Sequence, residues 1–194
     1  MALKIVTAPA AEPVSLTEAK LHLRVDHATE DDLITSLITL AREEIERMTD
    51  VMLITQTWDW SMDAFFTDEI KVPLWPLASV SSIKYLDEDS NESTIAAANY
   101  AVDAASRPGR IAWKSSYSFP AVELYPVNAV TVRMVVGFGT AGTNVPKRFI
   151  QALKLLIGHF YENREAVYSS VGGNVIDLPR GVDALLASDL RRFG

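Results

Sequence analysis

No cysteine occurs among the 194 residues of the chain. Disulfides, thiolate metal ligands and thiol nucleophiles are excluded together, and the redox compartment stays open. Histidine is nearly as scarce, with His22, His27 and His159 the three present. They are too scattered for a zinc motif. His159 and Glu162 make an HxxE pair, HExxH does not occur, and no metal or other cofactor is expected. Long apolar runs are missing too. The most apolar window, Ala129 to Phe138, has about half the length of a membrane span, and Arg133 interrupts it, so no membrane segment is expected. Near the amino terminus, Pro9 and Glu12 break the apolar stretch before it could serve as a signal-peptide core, and MALKIVTAPAAEPV reads as an extended arm. Basic residues are outnumbered, 18 against 25 acidic, for a net charge of -7. Counterion-release binding to a phosphate backbone is therefore not expected of the whole surface, although an acidic chain can line a DNA channel without sticking to it.

What is present is an ordinary globular composition, 48% hydrophobic and 22% charged. A chain of this length fits one domain, or one domain carrying an insertion, and can bury roughly 70% of its unfolded surface. Ser15 followed by Glu18 is a capping box, and a short helix over Leu16 to Leu23 follows. Thr29 is the expected cap of a longer second helix running to Met48, because Glu30, Asp31 and Asp32 put negative charge where the helix dipole is positive. On a helical projection Leu33, Ile34, Leu37, Ile38, Leu40, Ala41, Ile45 and Met48 share one arc, which predicts the buried face. Thr35, Thr39, Arg42, Glu43, Glu46 and Arg47 fall on the opposite arc and read as solvated. Glu44 projects inside the apolar arc and needs a partner.

From Val51 to Phe138 the pattern changes to short runs of Val, Ile, Thr, Trp and Tyr punctuated by Pro, Gly, Asn and Asp. The expected strands number five to seven: one around Gln56 to Met62 with an aromatic face, Val80 to Leu86, Glu92 to Ile95, Tyr100 to Asp103, Arg110 to Trp113, and Val127 to Phe138. DEDSN, Asp87 to Asn91, is the turn of a hairpin. Helical periodicity resumes after GFGTAG, with Asn144 as a cap, Pro146 in the first turn and a third helix over Val145 to Asn163. Its apolar face comprises Phe149, Ile150, Leu153, Leu156, Ile157, Phe160 and Tyr161, and Arg164 projects onto the same side. LPRGVDALL forms a short fourth helix ahead of a tail ending SDLRRFG.

GFGTAG stands between a strand and a helix, where phosphate-cradling loops occur, yet it matches neither GxGxxG nor GxxxxGK[ST] and reads as a sharp turn. No GxSxG elbow is present, and no local context singles out two carboxylates as an acid/base pair, so no catalytic residue is nominated and an enzyme is not expected. Trp58, Trp60, Trp75 and Trp113 are interleaved with strands and read as packing residues; the competing use, sugar stacking in a carbohydrate-binding module, would show in a glycan array.

Four stretches and their order resemble the longer members of the bacteriophage head-tail connector (adaptor) family: PLASVSSIKYLDED (Pro76 to Asp89), YAVDAASRPGRIAW (Tyr100 to Trp113), VTVRMVVGFG (Val130 to Gly139) and VPKRFIQALKLLIGHFYENREAV (Val145 to Val167). The resemblance implies an α+β fold: a small helical bundle, built from the two N-terminal helices and the C-terminal helices, with an inserted antiparallel β region. The corresponding boundaries are 1–50 for the arm and first helices, 51–143 for the β region, 144–187 for the C-terminal helices and 188–194 for a tail. It also implies a virion structural protein of the neck, made in the host bacterial cytoplasm. Such subunits form a ring of twelve beneath the portal protein, extending the channel through which genomic DNA passes and docking a stopper or tail-completion protein. A tail-terminator or tail-completion ring protein is the alternative within the same class.

Within that expectation Ala152, Leu155 and His159 lie off the main apolar face of the third helix, where a neighbouring subunit can pack. Glu44 and Arg164 are candidates to answer each other within a subunit or across the ring. Leu190, Arg191, Arg192 and Phe193, in a tail from Ser188 to Gly194, are expected to be disordered in the isolated subunit and to order on the portal.

Overall fold

A computed structural model describes residues 1–163 and 180–189. The chain forms an α+β fold of two compact units, one made of Met1–Ala10 with Thr55–Phe138 and the other of Ala11–Ile54 with Gly139–Gly194. The β unit is thus inserted between two halves of a helical unit, and it also takes the first ten residues of the chain.

In the helical unit α1 spans Leu16–Leu23, α2 Asp31–Thr49, α3 Lys147–Glu162 and α4 Arg180–Leu186. The capping box is present: Ser15 Oγ accepts from the Glu18 amide at 3.2 Å, and the Ser15 amide donates to the Glu18 carboxylate at 3.1 Å. Those bonds, the Ser15 amide first, hold the Glu18 carboxyl below its ordinary pKa. Thr29 does not cap α2. Its hydroxyl bonds to His27 Nδ1 at 2.7 Å, and Glu30 takes the cap position with no side-chain bond to the helix. Asp31 and Asp32 do stand in the first turn, so the dipole argument holds without the capping one. Likewise Asn144 does not cap α3. Its side-chain oxygen accepts from the Ala141 amide at 3.3 Å in a 3-10 turn over Gly142–Asn144, and Pro146 precedes the first helical residue.

The core of this unit gathers Ile34, Ile38, Ala41 and Ile45 of α2, Phe149, Leu153, Leu156 and Ile157 of α3, and Val182 and Leu186 of α4. Each large side chain so buried contributes about 1.5–3 kcal/mol. On α3 the expected face is correct from Phe149 to Ile157, while Phe160 and Tyr161 are half-buried. Gly142 is a position of close approach: a Cβ there would stand 2.1 Å from the carbonyl oxygen of Pro13.

The β unit holds eight strands. Five make an antiparallel sheet in the order β1-β2-β8-β4-β5, with β1 Ala2–Thr7, β2 Gln56–Met62, β4 Leu77–Leu86, β5 Glu92–Ile95 and β8 Val130–Val136. Three make a second sheet in the order β3-β7-β6, with β3 Glu69–Lys71, β6 Tyr100–Asp103 and β7 Arg110–Trp113. The amino-terminal arm is itself an edge strand, pairing Ala2 with Ser61, Leu3 with Trp60, Lys4 with Asp59 and Ile5 with Trp58. Across the large sheet Leu3, Trp60, Val132, Ile83 and Ile95 form one apolar row. The last four are buried, and Leu3 is 42% exposed.

Candidate interaction surfaces

The charges of α2 are not where the helical projection puts them. Arg42 and Glu46, read as solvated, are each only 7% exposed, and Leu40, read as core, is 46% exposed. The buried stripe is rotated toward Ile34, Ile38, Ala41, Arg42, Ile45, Glu46 and Thr49. Arg42 can lie there because three carboxylates surround it: Nε donates to Glu12 at 2.9 Å and Nη1 to Glu46 at 2.9 Å, with Glu43 at 3.6 Å. Glu46 in turn accepts from the Leu53 amide at 2.8 Å, and Thr39 donates to Glu12 at 3.1 Å. Burial disfavours the guanidinium charge, but the bonds to Glu12 and Glu46 outweigh it and raise the Arg42 pKa. The arrangement ties the segment before α1 and the segment after α2 to one helix.

Glu44 does have a partner, but not the expected one. Arg47 donates to it twice, at 2.9 and 2.6 Å, and this bidentate bond lowers the Glu44 pKa. Arg164 lies outside the described residues. Of the three α3 residues nominated for a neighbouring subunit, Ala152 is fully buried within the protomer and offers no surface. The buried face of α3 is wider than the projected one. Leu155 and His159 are half-buried, and Leu155 Cδ1 lies 3.2 Å from where a Cβ on Gly181 of α4 would stand, so α4 covers it in part. Within the expected tail, Asp189 is buried and bound by Arg148 at 2.9 and 3.2 Å, so the beginning of that segment belongs to the fold. Leu190, Arg191, Arg192 and Phe193 lie outside the described residues.

A cleft of about 190 Å³ in the helical unit is lined by Glu12, Pro13, Ser15, Glu18, Gly142, Thr143, Lys147 and Ile150. Its carboxylates are already engaged, Glu12 by Arg42 and Glu18 by the Ser15 cap. Among the described residues no group of three or more His, Asp or Glu could hold a metal ion. None of the described helices is long and apolar enough to cross a membrane.

In the β unit the tryptophans serve packing. Trp113 is stacked against Phe66 at 4.5 Å and Tyr117 at 5.2 Å, meets Phe119 edge-on at 5.3 Å, and donates its indole N–H to the Phe66 carbonyl at 2.7 Å. Trp60 is 5% exposed, Trp58 donates to Gln56 at 3.1 Å, and Trp75 sits beneath the Arg107 guanidinium and edge-on to Phe138. The uncovered apolar surface lies elsewhere. One part is strand β1, with Leu3, Ile5 and Val6 each 42–43% exposed; another is the loop holding Phe119, Val122, Tyr125 and Val127, exposed by 37–58%. Sequence reading passed over both, because neither has the periodicity of an amphipathic element.

Residues 13–103 match the family model of phage gp6-like head-tail connector proteins. Over these residues, just under half of its length, the chain resembles the head-tail connector family. The match takes in α1, α2 and the strands from β2 to β6. Likeness to solved structures extends to the rest of the chain. A chain from the neck of an empty gene transfer agent particle, computed with C6 symmetry, is 26% identical with a TM-score of 0.78. A chain from the virion of a native gene transfer agent particle is 25% identical with a TM-score of 0.79, and one from the native neck, computed with C12 symmetry, is 25% identical with a TM-score of 0.77. All three alignments cover 100% of this chain and 98% of the other. Among curated proteins no sequence match is found. The chain is thus similar, over its whole length, to chains found in virion necks.

Proposed function

We propose that the chain is a head-tail connector that assembles as a ring of twelve beneath the portal protein, extends the DNA channel, and presents a docking surface to the stopper or tail-completion protein. The observation that carries this reading is the likeness of the whole chain, helical unit and β unit alike, to neck chains in particles computed with twelvefold and sixfold symmetry. The surface chemistry agrees. Exposed apolar residues on β1 and on the Phe119–Val127 loop are what a subunit covers on assembly. The net charge of -7 suits a channel wall past which DNA must slide.

In this reading Leu190 and Phe193 anchor the tail on the portal while Arg191 and Arg192 meet acidic partners. Because Asp189 is held by Arg148, the informative truncation removes residues 190–194 and spares 189. Negative-stain images of the purified chain, alone and mixed with its portal, test the proposal. Rings seated on one face of the portal are expected, with portal retention reduced by the truncation and helical circular dichroism unchanged. A folded full-length chain that neither forms rings nor binds portal refutes it.

A further inference from the structure

We infer that the two edges of the five-stranded sheet join neighbouring copies, β5 of one subunit pairing with β1 of the next, so that the sheet continues around the ring. The inference rests on the ring assembly proposed above. Among the described residues β1 pairs only with β2, and β5 only with β4, which leaves one side of each without a strand partner. All six residues of β1 are exposed, as are Glu92, Ser93 and Thr94 of β5. Edge strands of soluble proteins are usually guarded by proline, several charges or a covering element. Neither of these contains proline, and β1 carries one charge, Lys4. Its guard is a register shift between Ile5 and Thr7, which leaves Ala2–Ile5 as the regular stretch. That stretch is as long as β5, which has four residues.

Direction and charge select a second copy as the occupant. Every pairing in the sheet is antiparallel, so the first and fifth strands run the same way. A rotation that carries one subunit to the next brings β5 beside β1 head-to-tail as a parallel pair, whereas pairing β1 with another β1 demands a twofold axis between neighbours, which a cyclic ring of twelve lacks. On the face opposite the apolar row each strand carries a charge: Lys4 on β1, Asp59 on β2 bonded at 2.8 Å to Arg133 on β8, and Lys84 on β4 bonded at 2.6 Å to Glu92 on β5. One edge therefore ends on a lysine. The other carries Glu92, level with Leu86 rather than with Lys4, beside the acidic turn Asp87, Glu88 and Asp89, so the two edges bear opposite charge without a direct pair between those two residues. The junction also gives Leu3 an apolar neighbour, since Leu3 shares its row with Ile95.

The absence of native cysteine makes the test clean. Ala2 and Thr94 are exposed and lie in one row across the sheet, through Ser61, Thr131 and Lys84. Rings of the Ala2→Cys/Thr94→Cys variant, assembled alone or on portal and checked by electron microscopy, are treated with a short bifunctional thiol reagent. A denaturing gel should then show a ladder of covalent oligomers, while each single-cysteine variant stays monomeric. Ala2→Cys with Ser93→Cys repeats the measurement should the first pair fail to assemble. Well-formed rings with no ladder from either pair overturn the edge junction and leave the ring intact. Failure of the unmodified chain to form rings overturns both.

Discussion

Replacing Arg42 by methionine should be among the most damaging single changes in the helical unit, and the structure sets its size. Methionine keeps much of the aliphatic stem and removes the guanidinium from between Glu12 and Glu46. Glu12, with its side chain 28% exposed, can rehydrate; Glu46, 8% exposed, cannot, and keeps only part of its compensation in the Leu53 amide. Removing one member of a buried ion pair costs about 3–5 kcal/mol, most of it the charge left behind. For a chain of this length that corresponds to a melting-point loss of roughly 6–20 °C. Glu46→Gln is milder, about 1–2 kcal/mol, because the amide oxygen still accepts from Leu53 and Arg42 retains Glu12. In the Glu46→Gln background Arg42→Met strands no buried carboxylate, so the two losses should be sub-additive by about 1–3 kcal/mol. Two probes separate the units. Among the described residues the four α-helices lie in the helical unit, so ellipticity at about 222 nm, where α-helices dominate, follows it; all four tryptophans lie in the β unit, so their fluorescence follows that one. A loss under about 1 kcal/mol for Arg42→Met, or strict additivity in the cycle, refutes the reasoning.

Glu44→Gln, which breaks only the Arg47 pair on a largely exposed face, should change helical-unit stability by no more than about 0.5 kcal/mol in denaturant melts, despite the same formal loss of a charge pair. Gly142→Ala places a Cβ against the Pro13 carbonyl and should destabilise the helical unit by about 1–3 kcal/mol in the same melts. Asp103 is held well below the usual carboxylate range by bonds from Ser106, then Arg110, then the Ser106 and Ala105 amides. A carboxyl with a lowered folded-state pKa adds stability that is present above its unfolded pKa of about 4 and is lost as pH falls below that. Tryptophan-monitored unfolding of the β unit should therefore weaken with acid in the native chain and less steeply in Asp103→Asn.

Much of the element order was legible because it rests on local signals. Ser15 and Glu18 announce α1 at its true residue, and Glu92 to Ile95, Tyr100 to Asp103 and Arg110 to Trp113 are bounded by turn residues that stop a strand wherever they occur. What failed was longer-range. Strand β3 has three residues, too few to show alternation, and β1 reads as a loose arm because both of its faces are exposed. Thr29 looked like a cap by type, but His27 two residues away offered its hydroxyl a competing partner. Projection on α2 weighed each residue by hydropathy alone. It could not know that Glu12, thirty positions upstream of Arg42, returns to that helix and makes burial of a guanidinium tolerable.

The same limit governs the surfaces that matter for assembly. Whether Leu3 lies in a core or at an edge depends on which strand follows it in the sheet, and the order β1-β2-β8-β4-β5 is a property of the whole fold. Leu3, Trp60, Val132 and Ile83 are equally apolar to a sequence reader, yet three are buried and Leu3 is not. The difference is that β1 has a partner on one side only. In a monomer such a row ends on wasted apolar area and unpaired backbone groups, at a sheet edge prone to aggregation. In a closed ring the row has no end. Topology therefore supplies what periodicity could not: Leu3 is left uncovered because it stands at a sheet edge, the place where, in the proposed ring, a rotation about one axis brings the next subunit.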